Sequence, residues 1–128
     1  MRFRRRDGFS LVELFVVIVV IGVLVGLAIP RFRNFRRKFY ITTMTSDLQN
    51  LALSEEAYWS EWSRYSEDLR ALDFTPSSDV KVTVVSADST GWSATASHGA
   101  DDARCAMFYG TAPEVPPATV KNIIGCTR

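Results

Sequence analysis

The sequence is poor in the residues that most catalytic and metal sites use. Its 128 residues include one histidine, His98, and two cysteines, Cys105 and Cys126. This set, at this spacing, does not supply the ligands of a structural zinc site. The sequence has no glycine-rich phosphate loop and no nucleophile–histidine–carboxylate set. We therefore expect no enzymatic activity, no cofactor and no bound metal.

The sequence also lacks a strong excess of either charge. Its 15 Lys and Arg residues stand against 14 Asp and Glu residues, which gives a net charge of +1. This balance argues against a globally basic nucleic-acid-binding protein. An acidic pair near His98, Asp101 and Asp102, offers fewer oxygen ligands than Ca²⁺ takes, so we interpret it as a solvated hairpin loop.

A long apolar run is the main feature that the sequence does contain. From residue 14 to residue 29 every residue is apolar or Gly, and Glu13 is the only charge between Phe9 and Ile29. As a helix, residues 9–29 would be roughly 31 Å long, which matches a bilayer hydrocarbon core of about 30 Å. A helix that is apolar on every face belongs in lipid or in the centre of an assembly.

Glu13 is a carboxylate one turn into this apolar helix. Such a group costs about 3 kcal/mol on insertion scales, so it tends to have a partner. Two interpretations stay open from the local pattern. Glu13 either lies at the membrane edge and reaches the head groups, or it meets a positive charge inside an assembly.

The residues around the apolar run resemble the amino terminus of a type IV prepilin. MRFRRRDG is similar to the short basic leader, and FSLVELFVVIVVIGVLVGLAIP is similar to the pilin sequence that follows it. The resemblance implies that a prepilin peptidase cuts after Gly8 and that the new amino-terminal residue, Phe9, is N-methylated. It also implies that Glu13, at the fifth mature position, and Pro30, in the helix, act in assembly.

The resemblance implies a structural subunit of a type IV pilus that serves motility, adhesion or DNA uptake. The chain would cross the inner membrane once, in contact with lipid, and would reach the cell surface in the assembled filament. Glu13 would neutralise the terminal amine of Phe9, in its own or in a neighbouring subunit. The partners would be further copies of the chain, the prepilin peptidase and the assembly machinery, with DNA as a further candidate.

Three alternatives to a pilus subunit stay open. They are a type II secretion pseudopilin, a minor pilin at the filament tip, and a membrane-tethered binding domain that does not polymerise. Major pseudopilins typically have an acidic calcium-binding loop and no terminal disulfide, so Cys105 and Cys126 favour the pilus. Glu13 favours a repeating subunit over a tip pilin. A tethered domain would keep its leader.

The organisation that we predict has four parts: a leader at 1–8, a hydrophobic helix at 9–30, an amphipathic continuation at 31–65, and a globular region at 66–128. One helix should run from about residue 9 to about residue 64, with a kink at Pro30, which has no N–H to donate. Its second half carries an apolar stripe at three-four spacing, made of Ile41, Met44, Leu48, Leu51, Tyr58, Trp62 and Tyr65 and broken at Glu55. Bulky rings in the stripe favour packing on a sheet over a coiled coil.

The segment at 31–40 alternates basic and aromatic residues. This pattern is typical of a membrane interface, where rings lie at the head groups and Arg reaches the phosphates. In a filament the same cations could face acidic residues of a neighbour, between Asp47 and Glu67. Nucleic-acid binding is a third interpretation.

The rest of the sequence predicts a small sheet. Ser66 is expected to cap a short helix, and three strand-like runs follow: DVKVTVVS, GWSATASH and RCAMFYG. They form an antiparallel meander of three to four strands with one face on the helix stripe, which gives an α+β fold of the type IV pilin kind. The proline-rich tail should be irregular. In an oxidising compartment Cys105 and Cys126 indicate a disulfide, and two separate buried thiols are the alternative.

Overall fold

The computed structural model describes residues 8–127. Most of the predicted leader, residues 1–7, therefore lies outside the described residues. The elements are one helix, α1 (Leu11–Trp62), and four strands, β1 (Val80–Ala87), β2 (Gly91–His98), β3 (Arg104–Gly110) and β4 (Gly125–Cys126). The strands form one antiparallel sheet in the order β1-β2-β3-β4. The predicted α+β fold, with one long helix and a sheet of three to four strands, is confirmed.

The chain divides into two compact units, Met1–Phe35 and Arg36–Arg128. In the first unit, residues 8–10 are not helical and α1 begins at Leu11. Every residue from 8 to 35 is exposed. By length and composition, α1 can cross a membrane. The helix continues across Pro30, and the kink expected there stays a prediction.

In the second unit the helix stripe packs on one face of the sheet. Met44, Leu48 and Leu51 are fully buried. They share a core with the inward residues of β1, β2 and β3, which are Val80, Val82, Val84, Trp92, Ala94, Ala96, Cys105 and Met107. The strand alternation and the sheet-facing stripe are as predicted. Apolar residues at every second position of a strand, or at three-four spacing along a helix, lie on one face of the element.

Three details differ from the sequence-based expectations. Glu55, where the stripe was predicted to break, is fully buried, whereas Trp62 is 58% exposed and its ring stacks on Tyr58 at a centroid distance of 6.1 Å. The short helix expected after Ser66 does not form, and residues 69–73 are turns. The Ser66 hydroxyl accepts a hydrogen bond from the backbone N–H of Asp68 two residues on, which stabilises a turn in place of a helix start.

The tail after β3 closes the other face of that strand. Phe108 and Ala106 pack against Ala118, and the backbone N–H of Asn122 donates to the Phe108 carbonyl at 2.9 Å. β4 pairs with β3 at the position where Cys105 and Cys126 form a disulfide. The predicted disulfide is therefore confirmed, and the tail contributes only a two-residue strand at the sheet edge.

Candidate functional site

The amino-terminal end of α1 carries most of the residues singled out by the sequence. Gly8, Phe9 and Ser10 precede the helix and are exposed. The backbone N–H of Ser10 donates to Glu13 Oε2 at 2.9 Å, and the backbone N–H of Glu13 donates to Ser10 Oγ at 3.2 Å. This reciprocal pair is a capping box, which satisfies two backbone donors that the first helical turn would otherwise leave free.

The capping box gives Glu13 a local role in addition to any role in assembly. The Ser-x-x-Glu spacing from Ser10 to Glu13 is its sequence signal, although the local pattern was interpreted only through the charge of Glu13. The carboxylate lies at the positive end of the helix dipole, where negative charge is stabilised. The structure thus places the Glu13 carboxylate close to the backbone of Ser10, the residue that follows Phe9.

The other residues assigned to assembly or processing are not gathered at this end. Pro30 lies inside α1, 17 positions beyond Glu13, which corresponds to roughly 26 Å along a helix. Cys105 and Cys126 join β3 to β4 in the second unit. The candidate site is therefore a helix end with one carboxylate, followed by a long exposed apolar surface.

Part of the basic segment is engaged within the second unit. Arg37 forms ion pairs with Asp102 at 3.0 Å and with Asp101 at 3.6 Å, and the Asp101 side chain is only 19% exposed. Arg36 donates to the Tyr40 hydroxyl at 2.9 Å. The acidic pair was predicted to be a solvated loop, but the loop is attached to α1 through Arg37. Among residues 8–127 no three His, Cys, Asp or Glu side chains form a metal-binding group.

His98 completes this attachment. Its ring stacks on Tyr40 at a centroid distance of 4.1 Å, and its Nδ1 accepts a hydrogen bond from the backbone N–H of Ala100 at 3.1 Å. Asp47 was considered as an acidic partner for a neighbour's cations, and this is wrong. It is buried and accepts hydrogen bonds from the backbone N–H and the hydroxyl of Ser77 at 2.9 and 2.7 Å.

Two neighbouring glutamates bind the chain that follows α1. Glu55 Oε2 accepts a hydrogen bond from the backbone N–H of Ser66 at 3.0 Å, and Glu56 Oε1 accepts one from the Tyr65 hydroxyl at 3.1 Å. Burial raises the pKa of Glu55 to about 7, against the opposing effect of the Ser66 hydrogen bond, and the charge of Glu56 raises it further. The sequence pattern treated Glu55 only as an interruption of the stripe.

An apolar groove of about 540 Å³ lies between α1 and the tail of the second unit. Leu53 and Ile123 lie at this groove, and they are 70% and 59% exposed. Its lining residues carry no formal charge: Thr45, Gln49, Ala52, Leu53, Met107, Asn122, Ile123 and Ile124. Such a surface suits contact with another apolar surface.

Comparison with known proteins connects these features to a family. Residues 3–29 match the family described as the prokaryotic N-terminal methylation motif. The chain is 34% identical over 76 residues to the type IV major pilin protein PilA of Myxococcus xanthus, a match that covers 59% of this chain and 34% of that protein. It is 35% identical over 79 residues to the type II secretion system core protein G of Klebsiella pneumoniae, covering 59% and 56%.

A longer match is to the type IV wide pilus major component PilA4 of Thermus thermophilus. It is 29% identical over 100 residues and covers 74% of this chain and 76% of that protein. The matches to the Myxococcus and Klebsiella proteins span only about a third and just over half of those relatives. The chain therefore has the N-terminal methylation motif and the fold of type IV pilins, and it is similar in sequence to pilus subunits and to a type II secretion core protein.

Proposed function

We propose that the chain is a structural, non-enzymatic subunit of a type IV pilus. The observation that carries this proposal is the helix at residues 11–29, which is apolar, exposed along its whole length and charged only at Glu13. The relatives named as pilus components support it. The helix anchors the subunit once in the inner membrane, in contact with lipid, and enters the filament core on assembly, which brings the subunit to the cell surface.

Processing removes residues 1–8 before assembly. A prepilin peptidase cuts between Gly8 and Phe9, and Phe9 is then N-methylated. The exposed, non-helical backbone at residues 8–10 supports this step, because a peptidase needs an accessible peptide bond. Residues 1–8 hold four Arg and one Asp. The cut removes this basic segment and keeps the apolar helix with the mature subunit.

Glu13 then sets the register of each subunit. The Glu13 carboxylate already accepts a hydrogen bond from the backbone N–H of Ser10. The amine formed on Phe9 therefore lies one residue before the group that Glu13 binds. In a low-dielectric filament core an unpaired carboxylate is costly and a carboxylate–ammonium pair is strongly attractive. Pairing with the subunit's own amine or with a neighbour's therefore selects one docked position. Pro30 removes one helical hydrogen bond and lets α1 bend as it packs.

The second unit forms the outer part of the filament. Its apolar groove beside Leu53 and Ile123 offers a surface for a neighbouring copy. The filament serves motility, adhesion or DNA uptake, and the exposed Arg31, Arg33 and Lys38 supply positive charge for lipid phosphates, for DNA or for acidic groups of neighbours. The assembly machinery of the inner membrane is the remaining partner.

A second candidate function is that of a type II secretion pseudopilin. The relation to core protein G of Klebsiella pneumoniae favours it. The disulfide between Cys105 and Cys126 and the binding of Asp101 and Asp102 by Arg37 favour the pilus instead, because calcium-binding acidic loops are typical of major pseudopilins. A tip pilin and a tethered, non-polymerising domain are the further alternatives, and a tethered domain would be indifferent to Glu13.

Two substitutions of Glu13 test the proposal and separate its two roles. Glu13→Ala removes both the cap and the charge, whereas Glu13→Gln keeps a side-chain carbonyl for the capping box and removes only the charge. Both variants should be inserted and cleaved, and both should lower the amount of chain in sheared surface filaments at least about tenfold, since a low-dielectric pair is worth more than 1.4 kcal/mol.

The matched control is Glu61→Gln, a carboxylate on the exposed surface of the same helix. Filament yield from this variant should equal that of the parent chain. Normal filaments from Glu13→Gln, with loss only in Glu13→Ala, would show that assembly needs the cap and not the charge. Normal filaments from both variants would contradict the proposal.

A further inference from the structure

The carboxyl group of Glu55 is enclosed at the carboxyl-terminal end of α1. The residue has no exposed surface, and its Oε1 atom is buried without a hydrogen-bond partner. Its Oε2 atom binds the backbone N–H of Ser66, 11 residues further along the chain. A fully buried carboxylate with one unsatisfied oxygen is unusual, because desolvation of the charged form costs far more than that of the neutral form.

The segment that Glu55 holds is the turn from the helix towards the sheet. The backbone N–H of Tyr65 donates to the carbonyl of Asp88 at 2.9 Å, and Glu67 Oε1 accepts from the backbone N–H of Ala87 at 3.3 Å. Tyr65 itself is buried and contacts the ring of Tyr109. Residues 65–67 are thus attached to α1 through Glu55, to the β1–β2 turn through a backbone hydrogen bond of Tyr65, and to the end of β1 through the side chain of Glu67.

Glu55 has no ion-pair partner among residues 8–127. The charge that acts on its pKa is the negative charge of Glu56, which raises it. The inward positions of β1 and β2 are apolar, and the core residues of β3 are Cys105, Met107 and Tyr109. The ionisable groups on the elements packed here are Glu56 and Tyr58 on α1, Arg64, Tyr65 and Glu67 after it, Asp88 in the β1–β2 turn, and Tyr109 on β3.

We propose that Glu55 is a proton-linked latch that keeps residues 63–67 closed on the end of α1 when it is protonated and loosens them when it is ionised. Ionisation of Glu55 has two opposing effects. It strengthens the hydrogen bond from the Ser66 N–H, but it also leaves a charge without water, and this desolvation is the larger effect. The ionised carboxylate therefore favours any opening that lets water reach it. The latch makes the segment that follows, residues 67–79, dependent on pH.

The direction of the pH dependence follows from linkage. Because burial raises the pKa of Glu55 from 4.5 to about 7, the closed state binds the proton more tightly than an open, hydrated state. The stabilisation is complete below about pH 4.5 and is lost as the pH rises through about 7. Within that window the equilibrium constant for opening should rise by up to about tenfold per pH unit.

Nuclear magnetic resonance of the full chain in detergent micelles tests the latch. The carboxyl carbon of Glu55 should titrate with a midpoint near 7, and the protection factor of the Ser66 amide should fall about tenfold or more between pH 5.5 and 7.5. Glu55→Gln, which is neutral at every pH, should flatten this fall. Glu61→Gln, which removes an exposed carboxylate of the same helix, should leave it unchanged.

The titration of Glu55 in the parent chain needs no variant, so it tests the latch even if Glu55→Gln fails to fold. A midpoint near 4.5 would overturn the latch. A Ser66 protection factor that does not change with pH in the parent chain would overturn it as well. A fall in protection that persists unchanged in a folded Glu55→Gln variant would assign the pH dependence to another group and would also overturn it.

Discussion

The two compact units of this chain differ in how far their apolar side chains are exposed. In residues 8–35 every residue is exposed, although most are apolar, whereas the second unit buries Met44, Leu48 and Leu51 completely against its own sheet. Burial of apolar surface is the main stabilising contribution to folding. The second unit therefore contains its own hydrophobic core, whereas the apolar side chains of residues 8–35 stay exposed. The difference locates the stability of the fold in the second unit, and under the proposed function the first unit supplies the surface for lipid and for other copies of the chain.

The same contrast holds for the carboxylates. Glu13 is exposed and serves as a helix cap at the start of an apolar surface. Glu55 is enclosed within the molecule and has only one of its oxygens satisfied. An exposed carboxylate on an apolar helix is available to a partner from another subunit, whereas a buried one can respond only to protons or to local opening. The two glutamates thus suit the different tasks proposed for them, assembly for Glu13 and pH response for Glu55.

The largest effect on stability should come from truncating the core of the second unit. Leu51→Ala removes a fully buried side chain and should lower the free energy of unfolding by about 3 kcal/mol. Val19→Ala, in the exposed apolar helix, should change it by less than about 0.5 kcal/mol. Denaturant unfolding of both variants in micelles, followed by near-ultraviolet circular dichroism, measures the difference. Equal losses in the two variants would show that the units do not differ in this way.

A much smaller effect is expected at the loop attached by Arg37. Arg37→Ala removes the ion pairs to Asp101 and Asp102, and because the Asp102 side chain is 89% exposed, the loss in unfolding free energy should stay below about 1 kcal/mol. Arg64→Ala, an exposed arginine after the helix, is the control and should have no effect. The same denaturant assay applies. A loss from Arg37→Ala as large as that from Leu51→Ala would place this loop in the core of the fold.

Much of the fold could be predicted because it depends on local periodicity. The apolar stripe through Met44 and Leu48 and the alternation of Val80, Val82 and Val84 each reveal a buried face without knowledge of its partner. The disulfide between Cys105 and Cys126 was predicted because the chain has one pair of cysteines and an oxidising compartment favours their bonding, and the structure confirms it.

Three of the errors lie where a side chain's partner is distant along the chain. Asp47 is buried because Ser77 binds it, and the Asp101–Asp102 loop is attached because Arg37 reaches it. Glu55 is buried because the chain returns over it at Ser66. No local pattern encodes such contacts. The roles given to Gly8, Phe9, Glu13 and Pro30 come from the resemblance and stay predictions.

The most direct test of the central claim is the intact mass and amino-terminal sequence of the chain recovered from sheared cell-surface material. A filament subunit should begin at N-methyl-Phe9 and weigh two hydrogens less than the reduced chain, because Cys105 and Cys126 are bonded. A chain that still carries residues 1–8 and occurs only in the membrane fraction would contradict the account. It would indicate a tethered domain that does not polymerise.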